Sequence, residues 1–293
     1  MKITVTVIRY LLLLALICAS ILALASDALI LKPAPPSGDI PAGPSSGDHI
    51  GGPDEGDPEN PSEPILPNDT VPNWSVEPIV YKYSTKDQSG KITCEVRYSY
   101  PSVSSNDGSD VSEFARELDM IASRIRLFVD TKIALYKNGT SDDFSVPPQI
   151  TGYYKINRFS TELFSITFVF SEIAPDSTVS ETYMNYNLDL LLSSKKISID
   201  SVMNDAVGTL RKILVQKKES GELSLLANYE NMLSGSIDGA WSANANGIVF
   251  RFAKGTLSPA SYGDIEISIT NAELIPLLSE YGKILLNLPE SVV

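Results

Sequence analysis

The chain has 293 residues, 43% of them hydrophobic and 20% charged, with a formal net charge of −13 and a single histidine. An acidic balance of that size argues against nucleic-acid binding, which needs a broad basic face. It favours neutral or basic partners instead.

The first segment reads as a targeting sequence. Lys2 and Arg9 precede an apolar run from Leu11 to Leu24, and Ala23-Leu24-Ala25 supplies small residues for cleavage. The run falls short of the roughly 18 residues of a spanning helix. Residues 1–25 are therefore expected to be a signal peptide, with an uncleaved anchor as the alternative. Cys18 follows Ile17, which is too large for a usual lipobox.

Residues 26–77 are rich in Pro, Gly, Ser and Asp, with ten acids and one base. Such a segment cannot bury enough apolar surface to offset chain entropy, so a disordered acidic linker is expected. A flexible chain of this length spans roughly 40 Å, and proline and self-repulsion extend it further.

Residues 78–293 are long enough for a folded module, read as one unit or as two subdomains over 78–145 and 146–293. The charge left to this part is −6. Cys94 is its one cysteine, so it holds no disulfide of its own.

In chain order, Ile79–Tyr83 and Lys91–Tyr100 are predicted strands across the turn at Lys86–Gly90. In the second, Ile92, Cys94, Val96, Tyr98 and Tyr100 share one face. Asp110 and Glu113 have capping-box spacing before an amphipathic helix carrying Phe114, Leu118, Ile121, Ile125 and Phe128. It stops near Asn138-Gly139.

Three strands follow: residues 149–159, a run carrying Phe164, Ile166, Phe168 and Phe170, and a run carrying Met184, Tyr186, Leu188 and Leu190. They are expected to form an antiparallel meander packed on one side. A helix capped by Asp200 is expected to carry Val202, Ala206, Leu210, Ile213 and Leu214. A short helix is expected over about 223–233.

Two strands, with Ile248, Phe250 and Phe252 in one and Ile265, Ile267 and Ile269 in the other, flank the neutral loop GTLSPASYG. Thr270 and Glu273 have capping-box spacing for a last helix, whose first turns Pro276 disfavours. The fold class predicted is α+β, with antiparallel sheet or sheets covered by helices.

The chemistry available is narrow. His49 lies in the linker, so the folded part has no histidine for a Ser-His-Asp or Cys-His pair. Most zinc sites are excluded for the same reason. Cys94 falls on an apolar strand face and reads as a buried thiol. Ser193 and Lys196 have Ser-x-x-Lys spacing but lack the helix start and further motifs that chemistry requires.

Asn185, Asn187 and Asp189 share a strand face, either a solvated surface or ligands for a hard cation. Paired carboxylates for glycoside chemistry leave no trace in one sequence. Asn68, Asn73 and Asn138 begin sequons that are read as chance.

The stretches EVRYSYPSV, LFSITFVFSEI, MNYNLDLLLSSKKISIDSVM and NGIVFRFAKGTLSPASYG, with IEISITNAEL after the last, resemble in order an extracellular module of Gram-positive bacteria. This is the RsiV-like family, found in the RsiV-type anti-sigma factor and ahead of the PdaC-type peptidoglycan deacetylase domain.

The resemblance implies a non-catalytic extracytoplasmic binding module, secreted or at the cell surface, whose ligand is lysozyme or a peptidoglycan fragment. It implies no cofactor and no metal. About nine residues precede the apolar run, too few for a sigma-binding domain, so no direct sigma-factor contact is expected. Membrane attachment is expected only if the N-terminal segment stays uncleaved. A peptidoglycan-modifying enzyme without histidine and a structural envelope protein are the alternatives.

Within the loop, Pro259, Ser261 and Tyr262 are the candidate partner-binding residues, because tyrosine gives large contact area at low entropic cost. Tyr262 packed on a sheet edge is the plain structural alternative.

Overall fold

The computed structural model describes residues 72–137, 147–192 and 194–288. The signal-peptide expectation, most of the linker, His49, Ser193 and the sequons at Asn68 and Asn138 lie outside them. The described residues form an α+β fold with a curled six-stranded mixed sheet and a three-stranded antiparallel sheet.

Strand β1 (Trp74–Lys86) and strand β2 (Ile92–Ser105) form an antiparallel hairpin with Tyr81 opposite Tyr98. Its turn is tied by Asp87, whose Oδ1 accepts from Ser89 N at 2.8 Å and Lys91 N at 3.0 Å. Gly90 takes the positive φ (85°) that closes it. β1 begins at Trp74, inside the segment expected to be linker, because the indole packs on Phe114 and Phe159 at ring separations of 5.5 and 6.4 Å.

Helix α1 (Ser112–Lys137) follows. Phe114, Leu118, Ile121, Ile125, Val129 and Ile133 recur at helical spacing and are all buried. Asp110 does help to start the helix, accepting from Ser112 N at 2.9 Å. α1 lies between β2 and β3 (Gln149–Phe159), and these two strands pair in parallel, Val96 opposite Ile150. A helical crossover is what parallel pairing requires. β2 and β3 thus belong to one six-stranded sheet.

β3, β4 (Leu163–Ile173) and β5 (Val179–Asp189) form the expected meander, ending in β6 (Lys195–Lys196). One expectation fails. β4 is buried from Leu163 to Phe170 on both faces, not one. Phe164, Ile166, Phe168 and Phe170 join the α1 core, while Leu163 belongs to a second core on the opposite side.

That second core is built by the C-terminal half. The single helix that Asp200 was expected to cap is two: α2 (Ile199–Val202), capped by Ser198 with Asp200 inside its first turn, and α3 (Ala206–Glu219), capped by Asp205 through Gly208 N at 2.9 Å. The break admits the C-terminal segment. Met203 bridges Leu278, Asn204 N donates to Leu277 O at 2.9 Å, and Ser279 N donates to Val202 O at 2.9 Å.

The next helix, α4, spans Tyr229–Ala240, later than expected. It runs into β7 (Trp241–Asn244), which no sequence pattern disclosed. β8 (Gly247–Phe252) and β9 (Ile265–Thr270) complete the small sheet with Phe250 opposite Ile267. Their apolar residues are the buried set predicted. Thr270 and Glu273 form the predicted capping box at α5 (Asn271–Leu274), Pro276 sits in a short 3-10 turn, and α6 (Glu280–Leu285) ends the described chain.

The two layers meet through polar groups. β7 is the edge strand of the small sheet, and residues 241 and 243 point their backbone groups away from β8 toward the large one. Asn187 Nδ2 donates to Trp241 O at 2.9 Å, and the Ser165 hydroxyl accepts from Ala243 N at 3.0 Å. Beside them Asn157 donates to Thr167, Thr167 to Asn185 Oδ1, and Asn185 Nδ2 to Gly239 O. A buried strand edge needs partners, and these side chains supply them.

Candidate functional site

The β8–β9 connection is built as a braced projection. After Phe252 the chain turns, with Thr256 N donating to Ala253 O at 3.0 Å and Gly255 at positive φ. Leu257 and Ser258 then dip into the protein, and Leu257 O accepts from Leu226 N at 2.9 Å. Pro259 leads out at φ −52° into a 3-10 turn, Ala260–Tyr262, which Gly263 closes at φ 73°. The base is pinned by Asp264 Oδ1, which accepts from Lys254 N at 2.9 Å.

The three sequence candidates come together on this turn. Ser261 is exposed, Pro259 is half-buried, and Tyr262 is 47% exposed. Tyr262 is thus presented to solvent on a constrained turn.

At the foot of the projection Arg251 and Glu266 pair across β8 and β9, and the Arg251 guanidinium lies 4.5 Å from the ring centroid of Tyr183. The Tyr183 phenol donates to Glu181. That bond, then burial, pushes its pKa up to about 12. Sequence reasoning passed over Tyr183, because nothing local places Arg251 against it.

The other sequence candidates lie elsewhere. Cys94 is fully buried under α1, and burial, reinforced by Glu172 and Glu95, pushes its thiol up to about 11. That is the reverse of nucleophile activation. Lys196 lies exposed in β6. The row Asn185, Asn187 and Asp189 is neither solvated nor gathered as a ligand set. Asn185 and Asn187 serve the inter-layer contact, while Asp189 accepts from Leu191 N, Leu192 N and the Tyr281 phenol. The strand pattern that suggested a solvated face fails because the second layer covers it.

Among the described residues no group of three or more His, Cys, Asp or Glu is placed to hold a metal ion, and no helix is long and apolar enough to cross a membrane. A pocket of about 410 Å³ opens beside Trp74, Phe114 and Leu190. Asp110 and Glu113 line it, and Trp74 Nε1 donates to Ser109 Oγ at 2.9 Å on the strand side.

No family model matches the chain, and no curated protein matches it. Two solved structures resemble it. A member of the DUF3298 family from Bacteroides fragilis is 12% identical, with a TM-score of 0.47, covering 74% of this chain and 97% of the other. A DUF3298 family protein from Pseudomonas aeruginosa is 11% identical, with a TM-score of 0.44, covering 73% of this chain and 96% of the other. Likeness at that level transfers no residue roles.

Proposed function

We propose that the chain is a non-catalytic, extracytoplasmic binding module whose Pro259–Gly263 turn contacts a protein partner. The observation that carries this reading is Tyr262, 47% exposed on a turn braced at both ends. A constrained turn loses little entropy when it docks, and a tyrosine on it contributes area without a desolvated charge. The resemblance to the RsiV-type module makes lysozyme the first ligand to try, with a peptidoglycan fragment next. The acidic charge of the chain would draw a basic enzyme toward it.

The test is calorimetric titration of the full chain with lysozyme at 0.15 M salt, where the screening length is roughly 8 Å and loose attraction to the acidic segment is damped. Micromolar or tighter binding is expected. Tyr262→Ala should weaken it tenfold or more, about 1.4 kcal/mol, with the melting temperature unchanged. Equal binding by the variant would remove the turn from the interface. Absence of binding would pass the question to peptidoglycan fragments.

A further inference from the structure

The small sheet and α4 cover only one end of the large sheet's back face. Toward β1 no described residue covers that face, and its rows follow the strand register. Lys82 lies opposite Arg97, and Arg97 opposite Thr151. Along β3 the same face continues through Tyr153 to Lys155. Lys82, Arg97, Thr151, Tyr153 and Lys155 are all exposed, and Tyr153 keeps 54% of its surface in water. Their even-numbered neighbours Val96, Tyr98, Ile150 and Tyr154 are buried under α1, so the division of faces is clean.

The side chains of the three cations make no ion pair or hydrogen bond among the described residues. Two carboxylates border them: Glu95, two residues before Arg97, and Glu181 on β5. Lys82 and Arg97 stand on adjacent strands about 4.8 Å apart. Lys155 is four residues beyond Thr151, about 13 Å along the strand. A flat, exposed tyrosine thus lies between two positive ends, in a protein whose net charge is negative.

We propose that this open face is a binding site for a carboxylate-bearing glycan, with a sugar ring stacked on Tyr153 and its acid groups held by Arg97 with Lys82 at one end and by Lys155 at the other. The planar guanidinium of Arg97 suits a carboxylate. A polynucleotide fits less well, because this face offers only three cations outside an ion pair, Arg251 being held by Glu266, in a chain of net charge −13. This proposal does not rest on the reading of the Pro259 turn.

The experiment uses the full chain and oligogalacturonate, beside the methyl-esterified oligomer as a neutral control and a single-stranded polynucleotide of equal charge. Oligogalacturonate should bind, and the ester should bind at least tenfold more weakly. Tyr153→Ala and Arg97→Gln should each weaken oligogalacturonate fivefold or more, with unchanged melting. Tyr262→Ala should leave it unaffected. The proposal is overturned if oligogalacturonate does not bind, if the ester or the polynucleotide binds as tightly, or if both the Tyr153 and Arg97 variants bind like the parent.

Discussion

Trp241 presents a backbone carbonyl inside the protein, and the Asn187 amide satisfies it at 2.9 Å. Asn187 is 1% exposed, so no water replaces that donor cheaply. Replacing it with alanine should cost about 1–3 kcal/mol, the penalty of a buried acceptor left unmade. The check is a urea midpoint that falls at unchanged slope; an unmoved midpoint would mean the carbonyl finds another donor. Cys94 makes a second prediction at this scale. Because burial holds its thiol near 11, a thiol reagent at pH 8 should label the native protein only as fast as it unfolds. Rapid labelling without denaturant would show that α1 opens locally.

Among the elements, glycines separate close contact from mere turn chemistry. Gly282 in α6 sits where an added Cβ would lie 2.2 Å from the Val202 carbonyl oxygen. That contact is what lets α6 dock at the break between α2 and α3. Gly282→Ala should therefore lever the two apart and destabilise by about 1–3 kcal/mol. Gly235, inside α4, meets nothing within 4 Å. There the same change removes only backbone freedom, and Gly235→Ala should stabilise by about 0.5–1 kcal/mol. Thermal melts of the two variants should move in opposite directions, and a shared direction would refute this account of the α2–α3 break.

For the whole molecule, β4 is the shared wall of two cores. Leu163 packs into one, and Phe164 and its neighbours into the other. Loss of either core exposes the strand that supports the second, so the described fold should unfold in one calorimetric transition. Alkali should weaken it. Tyr154 is buried, and burial pushes its phenol up to about 12; the Cys94 thiol is pushed up likewise. Above pH 9 to 10 the unfolded chain gives up these protons while the folded chain keeps them. Stability is therefore full below about pH 9 and lost as pH rises toward 12. Urea midpoints should follow that course, with a shallower fall in a Tyr154→Phe, Cys94→Ala double variant.

What the amino-acid sequence determined by itself was whatever depends on short-range periodicity. The face of β2 that carries Cys94, the stripe of α1, the alternation of β8 and β9 and the Thr270–Glu273 capping box all follow from spacing of two or of three to four residues, and each is found in place. The chain could also exclude chemistry, because a missing histidine is visible without a fold. The candidate turn was legible as Pro259, Ser261 and Tyr262 because proline, small residues and glycine mark a turn. Its bracing by Leu226 and Asp264 was not.

Only the tertiary structure decided what covers a strand. Asn185 and Asn187 read as solvent-facing, and β4 as half-buried, until a second layer lay over them. The helix expected from Asp200 read as continuous until Leu277 and Leu278 claimed the backbone of Met203 and Asn204. β7 had no signal, since four residues carry too little pattern, and its partners on the large sheet lie 54 and 78 positions away. The open, basic half of the large sheet was hidden for the same reason. Lys82, Arg97 and Lys155 become neighbours through strand register, which is set by contacts distant in sequence rather than by any local run of residues.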